Sequence, residues 1–428
     1  MIEKALKYIK SLKIKDYELF FMDNNSLSIL ISKNKVDFVS QGKISGLGVR
    51  VFINGKLGFS STTDNYKRCI DTAIKVAKLS EKDNKFKSFL REKGKSNLKA
   101  YSKKLLNLEI DEAKDYVKNY ISLVKDTNPK VNISEGSYNK GVSNISIINS
   151  EGLNISILKA SNSSSVEMIV NNDINVAVGR HEINPLDYNL GKDDIKRLLN
   201  LRNRQHIETK DMELILHPEA LADIMNNTFE FAIDGENVNM KKSILHNKLG
   251  SVVFDKKINI IDDGITTGLI NTTPYDNEGK VTKKNVLVKN GILKSFLYDS
   301  YNAYYIKKKS TGNCSRGFTT TPSIAPNNIV INKGSSKDII KEVKEGIYVR
   351  SLIGTHTMDS TTGDFSLGVM EGHYIKKGEI KNAVKDCMIA GNFFKLMKDI
   401  KAMENKIEHS EGYYMPKILF NKIKVIGK

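Results

Sequence analysis

The chain has 428 residues, 40% hydrophobic and 27% charged, which suits two or three domains and excludes wholesale disorder. No stretch approaches the roughly 18 continuous apolar residues of a membrane span. The net charge is +18, but the lysines are scattered and no arginine-rich run interleaved with aromatics occurs, so nucleic acid is not an expected partner.

The start, MIEKALKYIKSLKIKDYELFFM, lacks the apolar core of a signal peptide, and the cytoplasm is the expected location. A helix is expected over Ile2 to Leu12, where apolar residues recur at helical spacing. Alternating segments follow: YELFFM, SLSILIS, KVDFVSQ, GLGVRVFI and KLGFSST, separated at Asn24-Asn25, Asn34 and Asn54-Gly55. Asn-Gly between such runs predicts a hairpin, because both central residues of a type I′ turn need positive φ. Asp64 is the expected cap of a helix over NYKRCIDTAIKVAKLS. Residues 81–106 are polar and lysine-rich and predict a linker, and a helix follows near Ile110 to Lys125. Next comes a meander, VNISEGSY, VSNISIINS, LNISILKAS, SVEMIVNN and INVAVG, with turns at Asn139-Lys140-Gly141 and Glu151-Gly152. Its alternation is that of half-buried antiparallel strands, and it fades near Asn184-Pro185.

In the second half a strand, MELILH, runs into a helix, PEALADIMNNTFEFAI, with Pro218 in its first turn, where the missing N–H costs nothing. Strands then dominate: KINIID, NVLVKNGILKSFL with a turn at Asn290-Gly291, NNIVIN, GIYVRSLI, FSLGVM, EGHYIKKGEIKNAVKDCMIA and PKILFNKIKVI. Short helices are expected at Ser300 to Lys308, Ser335 to Lys344 and Asn392 to Lys398. The fold class is therefore α+β, with an N-terminal α/β domain over residues 1–186 and a C-terminal, mostly antiparallel β-sheet or barrel domain with short helices over 187–428.

The chemical motifs are sparse. There is no P-loop and no nucleophile elbow, and GLGVRVFINGKLG reads as a hairpin, not a dinucleotide fingerprint. Cys69, Cys314 and Cys387 form no disulfide framework and no C-x-x-C pair. Cys314 as a nucleophile would want a histidine base, which the sequence does not place. His181-Glu182 begins like a zinc motif, but Pro185 follows. His217 ends a strand and starts a helix, yet Pro218 follows it and neither Leu221 nor Ala222 binds metal. The richest polar turn is IGTHTMDSTTGDFSLG, from Ile353 to Gly368. It either exposes backbone N–H groups to a peptide or anion, or is an ordered connection whose threonines and aspartates satisfy their own backbone. Gly354, Thr355, His356, Gly363 and Asp364 in this turn, with Asn313 in the loop STGNCSRGFTTTP, are the candidate substrate-binding residues. No catalytic or metal-binding residue is expected.

SGLGVRVFINGKLGFSSTTD, then NTTPYDNEGKVTKKNVLVKNGILKSFLYDSYNA, STGN, LIGTHTMDSTTGDFSLGVMEGHYIKKGEI and DCMIAGNFF together resemble the TldD/PmbA peptidase family. The resemblance implies a cytoplasmic two-subunit metallopeptidase that degrades or trims linear or unfolded peptides. In its TldD-type subunit, H-E-x-x-x-H and a C-terminal cysteine hold zinc. Here LILHPEALADIM keeps His217 but has Pro218 for the glutamate and Ala222 for the second histidine, and HSEGYYMPKILFNKIKVIGK has no cysteine. That matches the PmbA-type (TldE-type) partner. The implied role is to wall the cavity and align peptide, with zinc in the TldD-type partner and none in this chain. Left open are a homodimer in isolation, a stand-alone metallopeptidase with another site, and a non-enzymatic peptide- or nucleic-acid-binding regulator like the DNA gyrase modulators.

Overall fold

The computed structural model describes residues 1–92, 94–170 and 174–428. Its first half runs α1 (Ile2–Ser11), β1 (Asp16–Ser32), β2 (Lys35–Ile53), β3 (Lys56–Thr62), α2 (Tyr66–Leu79), α3 (Lys103–Leu106), α4 (Ile110–Thr127), β4 (Val131–Asn149), β5 (Asn154–Val170), β6 (Ile174–Glu182) and α5 (Gly191–Asn200). The described strands form one antiparallel sheet in the order β3-β2-β1-β4-β5-β6. Three expectations change here. Asn24-Asn25 and Asn139-Lys140-Gly141 are not turns. Asn25 pairs with Lys43 on one side and Val142 on the other, and Gly141 pairs with Ser26 and Ser161. A neighbour on each side satisfies the ladder, so polar residues do not end the strand. The helix cap is Asn65, whose side chain accepts from the backbone N–H of Arg68 at 3.0 Å, not Asp64. Asn171 and Asn172, the end of the expected strand SVEMIVNN, lie outside the described residues, as does Lys93 of the expected linker.

Seventeen-residue β1 spans roughly 58 Å at strand rise, long enough to carry two cores on one face. Tyr17 and Leu19 pack under α1 and α2, while Leu27, Ile29 and Ile31 pack with α4 and α5. On the opposite face Phe20, Ile145, Ile147 and Ile157 meet Tyr275 of the second half.

The second half contains β7 (Lys210–Leu216), α6 (Pro218–Ile233), α7 (Gly235–Asn239), β8 (Ile260–Asp263), β9 (Lys284–Lys289), β10 (Ile292–Leu293) and α8 (Ser300–Tyr305). Then follow β11 (Cys314–Ser315), β12 (Ser323–Ile324), β13 (Ile329–Ile331), β14 (Glu345–Ile353), β15 (Asp364–Lys376), β16 (Glu379–Ala383) and β17 (Met388–Asn392). The chain closes with α9 (Phe393–Leu396), β18 (Ile400–Met403), β19 (Glu408–Ser410), β20 (Tyr413–Met415) and β21 (Ile418–Ile426). Strands β14-β7-β21-β17-β15 close into a barrel through the β14–β15 pairing. A second sheet runs β10-β9-β8-β13-β20-β19. Both pack on α6, whose Leu221, Ile224, Met225 and Phe229 are fully buried in the largest core.

A buried ionic pin joins the halves. Glu18 of β1 accepts from Arg50 of β2 (Nε at 2.9 Å) and from Arg316, and Arg50 also reaches Glu278 at 3.4 Å. A methyl on Gly46 would stand 2.2 Å from the Phe318 ring, and one on Gly48 2.6 Å from the Phe318 carbonyl. The GLG of β2 thus admits the 316–318 loop against bare backbone.

Candidate functional site

β7 enters the barrel parallel to β14 and delivers His217 to the N-terminus of α6. The backbone N–H of His217 donates to the Val349 carbonyl at 2.9 Å, which fixes the strand-to-helix corner. Its Nδ1 accepts from the backbone N–H of Glu219 (3.2 Å) as the helix cap. Nε2 is therefore the protonated nitrogen, and it donates to Glu408 at 3.1 Å. Burial holds the His217 pKa below its ordinary value, so the ring is neutral. The His217 hydrogen bond, aided by Lys417, holds the Glu408 carboxyl well below the usual range.

Glu219 is gripped from two sides. Arg197 of α5 forks onto its two oxygens at 3.2 and 2.7 Å, and Arg350 of β14 donates through Nε and Nη2 at 3.2 and 2.8 Å. Burial alone would raise the Glu219 pKa, and the two arginines more than reverse this. Arg197 also donates Nε to Glu371 of β15 at 2.5 Å. Here burial wins and the Glu371 pKa is raised.

This network borders two cavities, of about 490 and 860 Å³, which share Arg197, Arg350 and Glu408. One wall of the smaller cavity is β6, the terminal strand of its sheet, and another is β19, the terminal strand of the second sheet. Each carries one edge free of strand pairing among the described residues. His409 of β19 meets Glu182 of β6 at 3.0 Å across the gap. Two free sheet edges flanking a cavity can pair with an extended chain through main-chain hydrogen bonds.

A family model described as the PmbA/TldA metallopeptidase C-terminal domain matches residues 209–427, and one described as PmbA/TldA metallopeptidase domain 1 matches residues 17–77. The chain belongs to the TldD/PmbA family. It is 29% identical to an uncharacterized protein of Methanocaldococcus jannaschii over 94% of each chain. It is 25% identical to a Buchnera aphidicola protein named metalloprotease PmbA homolog, over 100% of this chain and 96% of the relative. The crystal structure of TldE from Thermococcus kodakarensis shares the fold at TM-score 0.90 and 22% identity, covering 100% of this chain and 99% of that one.

The expected substrate-binding residues fall in two places. Gly354 (φ 88°) opens the turn after β14, and Thr355–Thr357 form one 3₁₀ turn with His356 exposed. Thr357 returns its hydroxyl to the Gly354 carbonyl at 2.8 Å. Asp364 accepts from Asn392 (2.8 Å) and Thr362 (2.9 Å). Gly363 (φ 82°) lies where a methyl would come 2.6 Å from the Phe394 ring. Most of the turn's polar groups are thus spent on the turn itself, and it lines neither cavity, although Arg350 and Ser351 just before it do. Asn313 belongs to another neighbourhood. It is buried, donates to Asp262 at 2.8 Å and accepts from Asn285 at 3.2 Å, beside a third cavity. The Cys314 thiol is buried with its pKa raised well above the usual value by burial, then Glu278 and Asp276, which keeps it a poor nucleophile.

Sequence reasoning placed His217 at a strand–helix corner without assigning it to a site, and it did not point to Arg197, Arg350, Glu371 or Glu408. Their contacts span 22, 131, 174 and 191 positions, so no local spacing announces them. The one available signal was an ionizable residue inside an apolar run, as with Arg350 in GIYVRSLI.

Proposed function

We propose that this chain is the zinc-free, PmbA/TldE-type subunit of a heteromeric TldD-type metallopeptidase acting on linear or unfolded peptides. The donor set around His217 carries the proposal. Pro218 and Ala222 stand where a zinc helix needs its base and second ligand, and Ala222 is buried in the core. Both His217 ring nitrogens are engaged, and Glu219 is held by two arginines. These residues do not fit a zinc ion, which needs several uncommitted donors converging on one point. Among the described residues no group of three or more His, Cys, Asp or Glu side chains could hold a metal.

What the site offers instead is a wall. The free edges of β6 and β19 would align an extended peptide by strand addition, without strong sequence preference. Arg197, Arg350 and Lys417 balance Glu219, Glu371 and Glu408 behind that surface. The names borne by relatives support the pairing: one protein of Buchnera aphidicola, 26% identical over 93% of this chain, is named metalloprotease TldD homolog.

The test is peptidase activity of the purified chain alone and after mixing with a TldD-type protein carrying H-E-x-x-x-H. The expected result is no turnover of a linear peptide alone, no stoichiometric zinc by metal analysis, and turnover in the mixture. Chelator-sensitive cleavage by this chain alone would overturn the assignment.

A further inference from the structure

The face of the N-terminal sheet that meets the second half changes character along the strands. Phe20, Ile147, Ile145 and Ile157 are apolar and packed. Two residues further along, Asn24, Ser143 and Lys159 stand on one rung across β1, β4 and β5. They floor a cavity of about 440 Å³ whose roof comes from the loops around residues 270–277, 313–315 and 325–327. That volume is in the small-ligand range.

Lys159 is the unusual member. Among the described residues its ammonium has no hydrogen bond and no ion pair. Burial lowers its pKa, and Asp276 is the charged group that opposes this. Asp276 forms no ion pair with it. Its carboxylate already accepts the backbone N–H groups of Glu278 (2.9 Å), Lys280 (2.9 Å) and Cys314 (3.0 Å). The Lys159 side chain is part-buried and lines the cavity, and an ammonium without a protein partner there can take an arriving anion in a charge-assisted hydrogen bond.

The roof narrows the class of anion. Asn271, Asn277 and Asn327 donate their Nδ2 groups to the carbonyls of Asn327 (2.9 Å), Arg316 (2.7 Å) and Gly312 (3.3 Å). Their Oδ1 atoms receive no donor among the described residues, which leaves acceptors for N–H groups. A cavity with one unpaired cation and several free carboxamide oxygens matches a ligand with a carboxylate and N–H donors. Inorganic phosphate supplies the anion and one or two O–H donors close to it, but no N–H groups spaced along a chain. We propose that this cavity binds the free C-terminus of a short linear peptide, with the carboxylate on Lys159 and the peptide N–H groups facing the asparagines of the roof. His181 lines both this cavity and the one bordered by β6 and β19, so the two adjoin at that ring.

The site needs neither metal nor a second subunit, so its test is separate from that of the pairing proposed above. Trialanine and trialanine amide are titrated calorimetrically into the full chain. The acid is expected to bind at least about tenfold more tightly, as loss of a charge-assisted hydrogen bond implies. Lys159→Met should weaken acid binding by a similar factor and leave the amide unchanged, while Lys159→Arg should keep most of the acid preference. Millimolar phosphate should fail to displace trialanine. Equal affinity for acid and amide overturns the proposal, as does unchanged binding by Lys159→Met, displacement by phosphate, or no trialanine binding at millimolar concentration. If Lys159→Met does not fold by circular dichroism, the acid–amide comparison on the unaltered chain still decides.

Discussion

Replacing Arg197 with Met tests whether the site is held together as an ionic network. Arg197 and Glu371 are 7% and 3% exposed, and Arg197 forms an ion pair with Glu371. Methionine keeps much of the apolar stem but leaves Glu371 buried without its cation, whereas Glu219 retains Arg350. Removing one partner of a buried pair costs about 3–5 kcal/mol. The lost cation pushes the Glu371 pKa further up in the folded variant. Its pKa is already raised by burial with the arginine present. A carboxyl whose folded pKa exceeds its unfolded value of 4.5 loses stability as pH rises from the unfolded towards the folded pKa. The gap between native chain and variant should therefore be about 3–5 kcal/mol near pH 8 and shrink steadily towards zero near pH 4.5. The assay is urea unfolding followed by far-ultraviolet circular dichroism, taking the first transition, since a chain of this size need not unfold in one step. Adding Glu371→Gln to Arg197→Met should recover most of the loss at pH 8. A gap that does not change with pH, or one below about 1 kcal/mol, would refute the reasoning.

Glu18→Gln should cost about 3–5 kcal/mol in urea unfolding, because it removes the anion from Arg316 and leaves Arg50 only its longer contact to Glu278 in the interface between the halves; a loss below about 1 kcal/mol would show that the pin is dispensable. Burial would raise the Glu18 pKa, but Arg316 and Arg50 hold it below the ordinary 4.5, so this contribution should persist above that pH and fade only as pH falls through the lower folded value. His217→Gln should resist acid better than the native chain. The depressed His217 pKa means that native stability falls as pH drops below 6.5, and identical pH profiles from 7 to 5 would contradict this. Gly363→Ala should destabilise by roughly 1–3 kcal/mol through positive φ and the Phe394 clash, and a change below about 0.5 kcal/mol in urea would count against it.

The fold was legible where local chemistry is decisive. Residues 218–233 form a helix as expected, because proline fits its first turn and apolar residues recur on the buried face. Asn54-Gly55 turns the β2–β3 hairpin with φ of 52° and 82°. It was illegible where tertiary pairing overrides residue preference. Asn24-Asn25 has turn composition, yet the ladders on both sides carry β1 straight through it. Of the candidate site, His217 could be picked out at its strand–helix corner, while the carboxylates and arginines around it come from α5, β14, β15 and β19 and meet only in the folded chain. The polar turn from Gly354 to Asp364 carried the strongest local signal, and its donors and acceptors are largely occupied within the turn or by Asn392.

Several of the blocks that carry the family resemblance converge on one place. Gly46, Gly48 and Arg50 come from the first block, Asp276 and Glu278 from the second, and Asn313 from STGN, with Arg316 and Phe318 just beyond it. Glu18 supplies the anion that Arg50 and Arg316 share. In the fold these residues bolt the C-terminal loops down onto the bare backbone of β2, next to the cavity that holds Lys159. The Asp276 carboxylate ties the backbone at Glu278, Lys280 and Cys314 together, so the roof is set by the same loop that Glu278 anchors to Arg50. The chemistry of these blocks is therefore positional: it fixes how far the C-terminal loops stand above the sheet. A substitution at Glu18 or Arg316 should consequently weaken trialanine binding without touching the peptide, whereas one at Asp364, whose partners are Asn392 and Thr362, should leave that binding intact.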